Sequence, residues 1–243
     1  NKGIIPLISY DSIPDWSGVV RGNYDSAIEE FASGAVKFGK PFFLTPWPEC
    51  NREAHANGMP PPGREKSTDF IIAWIHMHDI FRRAGANKYA IWGFHLAAYV
   101  DQIKIFGWDL ADDFFDWVGF SIYNRVRSTG KNYSFKKLFD HSYEWTEKYH
   151  PTKPVALFGM GTSKIASQAN WIKNAYNSIV KRYPAVKLVV YSIEEWRKGD
   201  ESEIDSSDLN PEAKRAMQEV MSDPYFIGHK SAYFNQIFQK LQG

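Results

Sequence analysis

Three observations predict an α/β fold of the (β/α)8 TIM-barrel type. Apolar runs of strand length alternate with amphipathic helical stretches, the pattern of a parallel sheet covered on both faces. No Gly-x-Gly-x-x-Gly or Walker-type loop follows any of these runs, which disfavours the nucleotide-binding open sheets. Polar and aromatic residues gather at the C-terminal ends of the runs: Tyr10 and Asp11, Trp47 and Glu49, Trp92 and His95, Tyr123 and Asn124, Glu194 and Trp196. Side chains from many strands meeting at one rim is how a barrel builds a site.

Gly3 to Tyr10 reads as the first strand, and a helix begins near Asn23 with Tyr24, Ile28, Phe31, Ala32 and Ala35 on one face. Phe42 to Trp47 is the second strand, followed by a Pro/Gly-rich loop from Asn57 to Gly63. From about Thr68, Phe70, Ile71, Trp74, Ile75, His78 and Phe81 recur at helical spacing. Lys88 to Phe94, Asp116 to Tyr123, Pro154 to Phe158 and Val186 to Tyr191 are the remaining strands. Ile165, Ala169, Ile172, Tyr176 and Ile179 mark the helix between the last two, and Asn210-Pro211-Glu212 is a cap-plus-proline helix start. Six strands are legible where a closed barrel of this type needs eight. The expectation is one barrel domain over residues 1–243, N-terminally incomplete, with strands one and two preceding Asn1.

Composition removes several function classes. With 29 basic and 28 acidic side chains the formal net charge is +1, which argues against a nucleic-acid partner. No apolar run approaches the roughly 20 residues of a membrane span, so membrane insertion is not expected. Cys50 is the single cysteine and reads as an inert thiol. His76-Met77-His78 lies within a helix, where residues two apart point about 200° apart, so a metal site is not expected. No cofactor motif is present. Asn132-Tyr133-Ser134 fits the glycosylation sequon, and the acidic run from Asp200 to Asp205 reads as a solvated loop.

The stretch from Pro41 to Arg52 carries the most chemistry. It reads as a buried strand ending in the carboxylate of Glu49, with the indole of Trp47 before it and the carboxamide of Asn51 after it. An acid for a glycosidic oxygen, an aromatic face for a sugar ring and a donor for a sugar hydroxyl are the parts a glycan site needs. With 9 tryptophans, aromatic platforms are available, and Trp16, Trp47, Trp92 and Trp196 are the candidates for touching sugar.

Taken together, these residues resemble glycoside hydrolase family 26, the β-mannanase family of the retaining clan-A barrels. The resemblance runs through Gly3 to Tyr10, Gly22-Asn23-Tyr24-Asp25, Glu49-Cys50-Asn51, Ala73 to Arg82, Gly85-Ala86-Asn87, Asp116 to Phe120 and Tyr123-Asn124. It implies that Glu49 is the general acid/base, that Asn51 belongs to its motif, and that Tyr123 supports the nucleophile. It also implies an extracellular protein that meets a polysaccharide or oligosaccharide. A partner chain is a further expectation if the two early strands are not supplied otherwise. Three positions depart from the family pattern: Pro48 replaces a histidine, Ser121 replaces the strand-six aspartate, and Gly159 stands at the nucleophilic glutamate.

Retaining hydrolysis needs two carboxyls about 5 Å apart, and Gly159 supplies none. Three readings stay open: natural loss of activity, an engineered nucleophile-to-glycine change, or an active endo-β-mannanase or glucanase using Glu49 with another carboxylate. Asp11, Asp101, Glu194 and Glu195 are the candidates for that role. Because Pro48 and Ser121 depart as well, natural drift to a non-catalytic, glycan-binding barrel is the favoured reading.

Overall fold

A computed structural model of the protein describes residues 5–13, 15–52, 67–98, 109–163, 165, 167–192 and 209–226. Six strands form a sheet in chain order: β1 (Leu7–Tyr10), β2 (Phe42–Pro46), β3 (Ala90–Ala97), β4 (Trp117–Asn124), β5 (Val155–Thr162) and β6 (Val186–Tyr191). The pairs β1/β2, β2/β3 and β5/β6 run parallel. Parallel neighbours in chain order each need a crossover, and the helices supply it. The expected α/β class is therefore the observed one. The chain divides into two compact units, with the division inside β4, between Val118 and Gly119.

In the first unit the helices are α1 (Trp16–Val20), α2 (Asp25–Phe38) and α3 (Ser67–Arg83). Helix α2 buries Ile28, Ala32 and Ala35 and ends at Gly39, whose φ of 62° suits a residue without a β-carbon. The period of two along the strands decides what each side chain meets. Phe42 packs by Phe31 of α2, and Trp92 and Phe94 pack on Trp74 and neighbouring rings of α3. One residue on from Phe42, Phe43 instead meets Trp117 of β4, with ring centroids 5.3 Å apart.

In the second unit the helices are α4 (Val126–Thr129), α5 (Phe135–Tyr149), α6 (Gln168–Arg182) and α7 (Pro211–Met221). Ser134 caps α5 by accepting from the Lys137 amide, and Asn210 caps α7 by accepting from Ala213 with Pro211 following. Phe135, Phe139, Tyr143 and Tyr183 form one aromatic cluster under α5. Helices α1, α4 and α5 were not expected from the sequence. The first two are short turns of helix, and α5 carries a polar majority around its aromatic stripe.

The inner strands β2, β3 and β5 are buried throughout, whereas β1 and β6 are half-buried. The β5/β6 register shifts between Leu157 and Met160, where β5 takes three steps against two on β6 (Val189 to Tyr191). An opposite shift lies between Val155 and Ala156, one step against two, so the bulge at Phe158 and Gly159 is a local irregularity in a strand whose register is otherwise kept. The loop expected from Asn57 to Gly63, the acidic run from Asp200, and Asp101, Glu194, Glu195 and Trp196 lie outside the described residues.

Candidate functional site

The turn after β2 departs from ordinary backbone. Trp47 and Glu49 are the non-glycine residues of positive φ among the described residues, at 46° and 58°. A side chain in that region costs on the order of 1–3 kcal/mol and persists only where the surroundings over-determine it. Here they do. The Trp47 amide donates to Tyr10 O and the Glu49 amide to His95 O, each at 2.9 Å. The Trp47 indole Nε1 donates to Ile13 O at 2.9 Å. Asn51 grips Ala97 twice: its Nδ2 donates to the carbonyl at 2.9 Å, and its Oδ1 accepts from the amide at 2.7 Å. Glu49 is left half-exposed at the end of a buried strand.

His95 lies beside this turn on β3. Burial pushes its imidazole down to about 4, with the charge of Glu49 opposing that shift. It is therefore neutral at ordinary pH.

The structure places several expected sugar contacts elsewhere. Trp16, Trp47 and Trp92 are 0%, 1% and 2% exposed, so no open ring face is available on any of them. The physical reason is the strand period: Trp92 belongs to the set facing α3, and Trp47 packs edge-on against Trp16 and Phe70. Asn51 is likewise fully buried, and its amide serves Ala97 rather than a ligand. Asp11 is exposed at the end of β1.

In the second unit, β4 and β5 meet through two glycine–aromatic pairs. A β-carbon built on Gly119 would collide with the Phe158 ring. One built on Gly159 would collide with Tyr123 Oη and lie 3.1 Å from its Cζ and 3.4 Å from Ser121 Oγ. The Tyr123 hydroxyl is hydrogen-bonded to Ser192 Oγ at 2.9 Å, and the Arg125 guanidinium lies 5.6 Å from its ring centroid. Among the described residues the hydroxyls of Tyr123 and Ser121 thus lie on the side of Gly159 where a side chain would project. Next to Tyr123, Asn124 is fully buried, and its Nδ2 donates to Asn132 Oδ1 and Thr162 Oγ1, each at 2.9 Å. That anchorage fixes the end of β4.

Sequence reasoning singled out Ser121 only as a departure and did not single out Ser192. Ser121 was findable, since it is two residues before Tyr123 and shares its strand face. Ser192 carries no local signal. The His76-Met77-His78 run does lie in a helix, α3. His76 pairs with Asp25 at 2.6 Å, and His78 lies by Asn87 and the Trp92 ring. Among the described residues no group of three or more His, Cys, Asp or Glu side chains converges.

No protein-family model matches the chain, and no curated protein sequence does. Solved structures do match. A glycoside hydrolase family 26 β-mannanase from Bacteroides ovatus superposes with a TM-score of 0.62 at 15% identity, over 92% of this chain and 69% of that one. The catalytic domain of a family 26 endo-β-1,4-mannanase from Bacillus sp. JAMB-750 gives 0.64 at 13% identity, over 88% and 60%. A Cellulomonas fimi endo-β-1,4-mannanase double mutant gives 0.62 at 13% identity, over 96% and 57%. The fold is therefore family 26-like, a (β/α)8 barrel of which the described residues hold six strands. The chain spans between 57% and 69% of these three relatives' lengths.

Proposed function

We propose that this protein is a family 26-like barrel domain that binds a β-linked polysaccharide of the mannan or glucan type and hydrolyses it weakly or not at all. One observation carries the proposal. Where the resemblance calls for a carboxylate nucleophile there is Gly159, and the nearest polar groups among the described residues are the hydroxyls of Tyr123 and Ser121. A neutral hydroxyl does not replace an ionised carboxylate as the attacking group, and loss of a nucleophile costs several orders of magnitude in rate. The fold likeness, and the mannanase activity named for its structural neighbours, support mannan as the first ligand to test.

In this reading Glu49 keeps the acid/base position of the resemblance and serves as a hydrogen-bond acceptor for a sugar hydroxyl. Its strained turn, anchored to Tyr10, Ile13, His95 and Ala97, supports a ligand-facing role, because such strain collects at functional sites. The buried tryptophans build the wall behind it. No described helix is long and apolar enough to cross a membrane. Secretion, as the resemblance implies, is part of the proposal.

The deciding experiment measures binding and cleavage on one preparation. Calorimetry with mannohexaose and with a mixed-linkage glucan oligosaccharide is run beside a reducing-sugar assay on the parent polymers. Binding without turnover is the expected result. Clear turnover that Glu49→Gln abolishes would defeat this reading and favour an active enzyme with a different second carboxylate. Neither binding nor turnover on both glycans would remove the carbohydrate proposal altogether.

A further inference from the structure

We infer that Tyr123 and Gly159 are a matched pair, in which the phenol hydroxyl fills the volume of a residue-159 side chain and is itself the group presented to the sugar there. The ligand half of this pairing rests on the glycan-binding reading. The packing half stands on geometry alone.

With Tyr123 as it stands, position 159 has no room for a methyl group, because Tyr123 Oη occupies the direction in which a β-carbon would grow and would have to shift to admit one. The backbone at Gly159 is not left-handed, so conformation does not demand glycine there; space does. The tyrosine is held in this pose. Its hydroxyl is hydrogen-bonded to Ser192, the Arg125 cation lies over its ring, and the next residue, Asn124, is pinned by two side-chain bonds. The partner strand is adapted too. Phe158 lies against Gly119, so β4 and β5 each contribute one glycine and one aromatic. Deleting a buried side chain leaves a hole, whereas the space beside Gly159 is filled by Tyr123.

The filling group sets the chemistry. A phenol hydroxyl both donates and accepts, and at ordinary pH it is a neutral group and a poor nucleophile. Tyr123 therefore hydrogen-bonds a sugar hydroxyl or ring oxygen and does not attack the anomeric carbon. A glutamate placed at 159 would have to displace Tyr123 first.

A double-mutant cycle tests the packing half, with thermal unfolding as the readout. Gly159→Ala alone should lower Tm by ~3–10 °C, the scale of overpacking in a domain of this size. In a Tyr123→Ala background the same substitution should cost less than a third as much, because the obstructing group is gone. Equal losses in both backgrounds would overturn the pairing. For the ligand half, Tyr123→Phe should weaken mannohexaose binding ~10-fold while leaving Tm within a few degrees of wild type. Unchanged affinity in a protein that does bind would overturn that half. A wild type that binds no glycan defeats the ligand half together with the functional reading, and the cycle still decides the packing. Gly159→Glu alone should show no hydrolysis, and measurable turnover by it would refute the matched pair.

Discussion

The turn after β2 and the bulge in β5 solve opposite problems. At the turn, a glutamate stands where the backbone favours glycine: φ at Glu49 is 58°. At the bulge, a glycine stands where the backbone would accept other residues and only a tyrosine hydroxyl forbids them. The turn uses hydrogen bonds to Tyr10, Ile13, His95 and Ala97 to hold a charged side chain in a strained pose. At the bulge the backbone of Gly159 is not left-handed, and the hydroxyls of Tyr123 and Ser121 lie beside it. At one position backbone strain is borne so that a carboxylate can stand there, and at the other an unstrained backbone carries no side chain because a neighbour fills the space.

Acid should separate the two regions most strongly. His95 is neutral in the fold with its pKa near 4, against about 6.5 unfolded, so protons bind the unfolded chain preferentially between those values. Its contribution is complete above about pH 6.5 and lost as pH falls toward 4, amounting to about 3 kcal/mol by pH 4. Urea unfolding from pH 7 to 4 checks this, and His95→Gln should flatten the slope. A stability that does not change across that range would contradict a buried, neutral His95.

Next in size is Asn51→Ala. It leaves the Ala97 amide and carbonyl without their partner in a buried place, at a cost of about 2 kcal/mol by denaturant titration. A neutral result would mean that the turn does not depend on Asn51.

Alkali should act on the second unit. Burial holds Tyr191 up to about 12 and also raises Tyr176, while burial and the hydrogen bond to Asp140 raise Tyr183. Phenols raised in the fold are neutral there after the unfolded chain ionises, so stability is intact below pH 10 and falls above it. Tyr191 alone accounts for about 1.4 kcal/mol by pH 11. Tyr191→Phe should remove that part, read as a shallower loss between pH 10 and 11.

The smallest effect has the opposite sign. Glu49→Gly should raise stability by about 1 kcal/mol, because glycine adopts the left-handed region without penalty. A loss of stability would show that the Glu49 side chain makes contacts worth more than its strain.

Much of this arrangement was legible in the sequence. The strand β6 was bounded to the residue, and the others within a few residues, because each is a short apolar run between turn signals. Glu49 was expected at the end of such a run, and it stands half-exposed in the turn that follows β2. What failed was the assignment of Trp16, Trp47 and Trp92 to an open surface. Abundance of indole predicts platforms equally well whether the rings face a ligand or a helix, and only the alternation relative to α3 decides. The filling of position 159 was also illegible. Glycine in a sequence reports a missing side chain and says nothing of what has moved into its place, and Ser192 approaches Tyr123 from 69 residues away.

The left-handed turn at Glu49 also bears on how easily the chain could lose its acid. A glutamate codon becomes a glycine codon by a single base change, and with φ at 58° the change is expected to be stabilising. Folding would then not guard the carboxylate at 49. A screen of random variants for heat resistance alone is expected to return Glu49→Gly, whereas a screen for glycan binding is the one expected to keep the acid.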